Sequence, residues 1–88
     1  MLTFDDHFAS DGGFGCVLWA TDEPANKRVR FNIGSEILQD VLHGKSPVHH
    51  EANVNLCNRE RHRIEEACRR AFANRPSESI NLQPSDFS

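Results

Sequence analysis

The longest pattern in the chain is an amphipathic one. Ile64, Cys68, Ala71 and Phe72 fall at i, i+4, i+7 and i+8, and Cys57 lies seven residues before Ile64. That spacing puts them on one face of a helix turning every 3.6 residues, so a single helix is predicted from Asn53 to Arg75. Arg61 falls on the same stripe, while Arg59, Arg63, Glu66, Arg69 and Arg70 take the other side with Glu65 flanking. Pro76 ends the run, because proline cannot continue a helix and disfavours the α region at Arg75 before it. A helix with one apolar stripe is not stable alone and needs a surface to cover.

The rest of the chain supplies that surface. Arg28 to Ile33 alternates strictly, with Val29, Phe31 and Ile33 on one face and Arg28, Arg30 and Asn32 on the other, as a half-buried strand does. Phe14 to Ala20 is rich in β-prone Phe, Cys, Val and Trp and reads as its partner, joined through the loop residues 21–27 as an antiparallel hairpin. At Gly34-Ser35-Glu36 the period changes. Ser35 as N-cap, an apolar face of Ile37, Leu38, Val41 and Leu42, and Gly44 after His43 predict a helix of two to three turns. Residues 45–51 form a polar connection. Beyond Pro76, Ile80-Asn81-Leu82 alternates as a third strand that Pro84 stops, and Phe87 is placed to pack back. Residues 1–13 read as a loosely ordered segment that pins one or two of Leu2, Phe4 and Phe8, ending in a Gly12-Gly13 corner. The order is β-β-α-α-β. The expected fold class is therefore α+β, a three-stranded antiparallel sheet with two helices packed on one face.

Size and composition narrow the picture further. At 88 residues the chain is one domain, residues 1–88, with room for one core. No apolar run approaches the roughly 20 residues of a membrane span, and the acidic start Met1 to Asp6 lacks the basic and apolar regions of a secretion signal. Three cysteines without close pairs argue against a disulfide scaffold and for a reducing compartment, so the cytoplasm is the expected location. The net charge of −3 is unevenly spread. Residues 1–26 carry five acids and no Lys or Arg, whereas residues 57–76 carry six arginines against three glutamates.

These pieces, in order, resemble a known family. Cys16-Val17-Leu18-Trp19 is followed by Arg28-Val29-Arg30-Phe31-Asn32-Ile33 and Ser35-Glu36-Ile37-Leu38, then by the run from Asn58 to Ala67, and last by Ile80-Asn81-Leu82 with Asp86-Phe87. The arrangement is similar to the small bacterial family catalogued as domain of unknown function 1488, over nearly the whole chain from Leu2 to Phe87. Cys57 stands where members of that family carry an aromatic ahead of the helix isoleucine, which implies local repacking. The resemblance implies an α+β fold and brings no activity, cofactor or catalytic residue.

Candidate chemistry is sparse. His43, His49, His50, Cys57 and His62 lie within twenty residues and are zinc-ligand types. Their spacing does not converge, however: His62 and Cys57 sit about 140° apart around a helix, and an exposed histidine cluster is the simpler reading. Cys16, Cys57 and Cys68 read as small core residues, with no base positioned to activate a thiol. Glu65 and Glu66 are matched by Arg69 and Arg70 at i+4, and Gly12-Gly13-Phe14-Gly15 lacks the lysine and setting of a phosphate loop. No enzymatic constellation, metal site or cofactor is assigned. The arginines Arg59, Arg63, Arg69 and Arg70, joined by Arg28 and Arg30 of the hairpin, are the candidate interaction surface. The expected role is a non-enzymatic protein-interaction or regulatory module, meeting an acidic protein partner through that face or a second copy through a sheet edge. The alternative is a nucleic-acid-binding module on the arginine face, opposed by an isoelectric point near 5.9 and the lack of stacking aromatics in a basic run. Metal binding through the histidines ranks third.

Overall fold

A computed structural model describes residues 1–10, 15–42 and 50–88 of the chain, apart from the side chains of residues 50–52. The Gly12-Gly13 corner, the strand start at Phe14, the Gly44 helix end and His43 and His49 lie outside the described residues. Among the described residues five strands form one sheet: β1 (Leu2–Phe4), β2 (Ala9–Ser10), β3 (Cys16–Asp22), β4 (Lys27–Ile33) and β5 (Ser79–Asn81). Two α-helices, α1 (His50–Arg59) and α2 (Arg61–Asn74), come between β4 and β5.

The hairpin forms as its alternation dictates. β3 and β4 pair antiparallel along their whole length, from Cys16 opposite Ile33 to Asp22 opposite Lys27. Leu18, Ala20, Val29, Phe31 and Ile33 point to one side and are buried, while Arg28, Arg30 and Trp19 point to the other. Asn26 closes the turn at φ 55°, a left-handed position that asparagine tolerates.

Two expectations about the sheet are corrected. It has five strands rather than three, because the N-terminal segment is built into it. β1 pairs antiparallel with β3, Leu2 opposite Asp22 and Phe4 opposite Ala20, and β2 pairs further along the same side of β3. The alternation of Leu2 and Phe4 is too short to stand out as a strand, yet beside β3 it puts both side chains against the core. Nor is the sheet wholly antiparallel, since β5 runs parallel to β4, Phe31 opposite Ile80. A parallel neighbour needs a crossover, and the helical stretch between the two strands provides it.

The helices differ from expectation in their division. The run from Asn53 to Arg75 is not continuous but bends at Glu60, which sits at φ −101° and ψ 18°. Hydrogen bonds still cross the bend, from Glu60 N–H to Leu56 O at 2.9 Å and from Ile64 N–H to Glu60 O at 3.1 Å. α2 opens on Arg61, His62 and Arg63 with no side-chain cap, so its start is held by continuity with α1 rather than by capping or favourable charge. The apolar stripe itself is as read. Cys57, Ile64, Cys68 and Ala71 are fully buried and Phe72 is half-buried against the core. The helix predicted from Ser35 does begin there, with Leu38 N–H reaching Gly34 O at 3.2 Å, but widens to a π-helical turn over Ile37–Val41, where Leu42 N–H reaches Ile37 O at 3.0 Å. It still buries Ile37, Leu38 and Leu42. One hydrophobic cluster thus joins the inner face of the sheet, this turn and both helices.

Candidate functional site

The six nominated arginines do not form one surface. Arg28 and Arg30 lie on the outer face of the sheet, whereas Arg59, Arg63, Arg69 and Arg70 belong to the helices packed over its inner face. Most of them are tied to their own chain. Arg28 grips Asp5 with both Nη atoms, at 2.9 and 2.7 Å, and its guanidinium lies 5.4 Å from the Trp19 ring centre. That pairing holds the Asp5 carboxyl below its ordinary range and raises the guanidinium. Arg69 lies 5.2 Å over the Phe4 ring and 3.6 Å from Glu65. Arg70 donates to the backbone carbonyls of Asp86 and Ser88. Arg63 makes an exposed contact with Glu60 at 3.7 Å, and Arg59 is exposed at the end of α1.

Two arginines outside that set are the strongest clamps. Arg61 donates to the carbonyl oxygens of Asp5 and Asp6, at 2.5 and 2.9 Å, and stacks 5.5 Å over the Phe8 ring. It therefore pins the segment between β1 and β2 onto the helix. Arg75 grips Asp86 at 3.0 and 2.9 Å and also donates to Asn81 O. Asp86 is 4% exposed and accepts the Gln83 N–H at 2.8 Å at the start of a short 3₁₀ turn, Pro84–Phe87. Chiefly because of the Arg75 hydrogen bonds, its carboxyl is held below the ordinary range. Only position 61 on the apolar stripe could have flagged Arg61 in the sequence, and the Arg75–Asp86 pair has no periodic signal at all.

The titratable groups expected to carry chemistry are otherwise occupied. Cys16, Cys57 and Cys68 are free thiols and all are buried. Cys57 is pushed up by its hydrogen bond with Cys16 and by burial, and Cys68 is pushed up by burial with help from Glu65 and Asp86. Such thiols are poor nucleophiles. His62 is exposed beside Glu66 at 3.5 Å. Among the described residues no three His, Cys, Asp or Glu side chains converge as a metal site would require. Nor is any helix among them long and apolar enough to cross a membrane.

The two edges of the sheet differ in a way the sequence did not reveal. Met1 and Glu23 exchange hydrogen bonds at 2.8 and 2.9 Å, and Asp5 N–H reaches Trp19 O at 2.9 Å. In an antiparallel pair this alternation turns Met1, Thr3 and Asp5 toward β3 and leaves the peptide groups of Leu2 and Phe4 facing outward. At the opposite edge the ladder bonds of β5 use alternate residues, as Arg30 N–H to Glu78 O and Leu82 N–H to Asn32 O establish. The outward groups there are partly covered: Asn81 O accepts from Arg75 and Ser79 N–H meets Ser77 Oγ at 3.4 Å. Beside the β1 edge, left unpaired among the described residues, is a cleft of about 360 Å³ lined by Met1, Leu2, Arg69, Phe72 and Ala73. Met1, 91% exposed, is the large hydrophobic residue left in solvent among the described residues. A smaller cleft of about 240 Å³ is also lined by Phe72, together with Lys27 and Glu78. No family model matches the chain, and no curated protein or solved structure is significantly similar to it.

Proposed function

We propose that this chain is a non-enzymatic protein-interaction module of the cytoplasm that takes up an extended strand of a partner along the β1 edge. The observation that supports this reading is the pair of outward peptide groups at Leu2 and Phe4. An edge of that kind is a template for strand addition unless it is blunted by charge, proline or a covering segment. Met1 to Phe4 has no charged side chain and no proline, its terminal ammonium being turned to Glu23 and Asp22 of the neighbouring hairpin, and the β5 edge is the blunted one. Main-chain bonds would supply part of the affinity, and the adjoining cleft beside Phe72 would receive an apolar side chain of the incoming strand. A second copy of the chain is one such partner. Pairing two β1 strands about a two-fold axis at Thr3 sets Leu2 of each against Phe4 of the other, with no like charges opposed.

The arginine face of the helices becomes secondary in this reading, since Arg69 and Arg70 have internal partners. The resemblance to the domain of unknown function 1488 family remains part of the proposal and adds no activity to it. The test compares Leu2→Lys, which charges the edge, and Ala73→Arg, which fills the cleft, with the parent chain. Association is followed by sedimentation velocity over a range of concentrations and by binding to a library of extended peptides. Both substitutions are expected to weaken association about tenfold or more while the circular dichroism spectrum is unchanged. If every association survives both changes, the β1 edge is not the docking surface.

A further inference from the structure

The outer face of the sheet carries a second arrangement, unrelated to the β1 edge. The helices pack on the inner face, and strand alternation sends Trp19, Arg28, Arg30 and Asn32 outward together. Trp19 lies directly opposite Arg30 in the β3–β4 register, and the two guanidiniums of Arg28 and Arg30 are 5.4 and 6.0 Å from its ring centre. In the sequence these residues are separated by a loop and look unrelated.

The two arginines are not equivalent. Arg28 is matched by Asp5, whereas Arg30 has no carboxylate within ion-pair distance among the described residues. Its Nε donates to Asn32 Oδ1 at 2.8 Å. The Asn32 amide is fixed in turn from β5, donating to Ser79 Oγ at 3.2 Å and Asn81 Oδ1 at 3.0 Å. Two strands thus hold one guanidinium by its Nε, leaving the two Nη nitrogens as donors of an uncompensated positive charge beside an indole carried by a third. An oriented fork of that kind matches a phosphate or carboxylate. A partly exposed aromatic ring next to it adds a stacking surface for a base.

We infer that this face binds single-stranded nucleic acid, with a base against Trp19 and a backbone phosphate on Arg30, buttressed by Asn32. A simple carboxylate ligand would satisfy the guanidinium and leave the indole unused, whereas a nucleotide engages both. The acidic remainder of the chain makes the binding weak, and a single cation at Arg30 supplying the charge complementarity makes its salt dependence shallow.

Trp19 is the only tryptophan in the chain, so its intrinsic fluorescence reports on this face alone. The full-length chain is titrated with a short oligothymidylate at low and raised salt. Saturable quenching is expected, its affinity falling with salt at a log–log slope of about −0.7 for each phosphate contacted. Arg30→Gln is expected to weaken binding about tenfold. With a fluorescently labelled oligonucleotide followed by anisotropy, Trp19→Phe is expected to retain binding and Trp19→Ala to lose about fivefold or more. Circular dichroism confirms the fold of each variant, and Asn32→Ala replaces Arg30→Gln if the latter does not fold. The inference is overturned if no quenching occurs. It is overturned equally if polyglutamate binds as well as the oligonucleotide, or if neither the Trp19→Ala nor the arginine-site variant alters affinity.

Discussion

Individual residues divide here into those whose burial follows from pattern and those whose role follows from a distant partner. Ile64 belongs to the first kind. It is fully buried at the centre of the helix stripe, and Ile64→Ala is expected to cost about 2–5 kcal/mol through lost transfer energy and the cavity left behind. Urea denaturation measures it, and a loss of a few tenths would place Ile64 outside the core. Asp86 belongs to the second kind, since its partner Arg75 is brought to it only by the fold. Its folded-state carboxyl titrates below the unfolded value. The stability it contributes is therefore present above the unfolded pKa of about 4 and is lost as pH falls through the folded one. Asp86→Ala is expected to cost about 2–3 kcal/mol at neutral pH and to flatten the acid limb of a stability–pH curve. An unchanged acid limb would show that another carboxylate governs it. The three thiols yield a kinetic prediction. With Cys57 and Cys68 both pushed up and all three buried, iodoacetamide should modify none of them at appreciable rate in the native chain and all three once it is unfolded. Rapid native labelling of any one would mean that its surroundings open.

Elements show the same division more sharply. β4 and the helix stripe declare themselves through strict periodicity, because each covers enough residues for its period to be unmistakable. β1 does not, for three residues contain barely one period of a strand. It becomes a strand because β3 offers a free edge and because Arg61 clamps the carbonyls just beyond it. Its two faces of backbone are chemically distinct, and proline can tell them apart. Thr3→Pro removes a donor aimed at β3 and should cost about 1 kcal/mol or more, a fall in Tm of about 4–8 °C for a domain of this size. Leu2→Pro removes an outward donor together with a side chain packed on the core, so it should lower Tm no further than Leu2→Ala does. A loss beyond that of Leu2→Ala as large as the one at Thr3 would show that the alternation of the β1 ladder is misassigned. The parallel placement of β5 was likewise invisible locally, since Ile80-Asn81-Leu82 alternates identically in either direction.

On the scale of the whole molecule, the sheet separates two groups of arginines that the sequence had joined. Arg63 is the cleanest probe of the helical group, because Arg70 also holds the carbonyls of Asp86 and Ser88. Arg63→Glu should leave association through the β1 edge unchanged in sedimentation, and a strong loss would return the arginine face to first place. By itself, the sequence determined the α+β class, the β3–β4 hairpin and the buried stripe of α1 and α2, because hydrophobic periodicity is a local property that burial of one face must satisfy. Only the tertiary structure decided the number and direction of strands, the bend at Glu60, the difference between the two edges, and which arginine meets which partner distant in sequence. Those depend on pairings across 11 residues for Arg75 with Asp86, 23 for Arg28 with Asp5 and 55 for Arg61 with Asp6. No local period encodes contacts at such separations; they arise when packing brings the segments together.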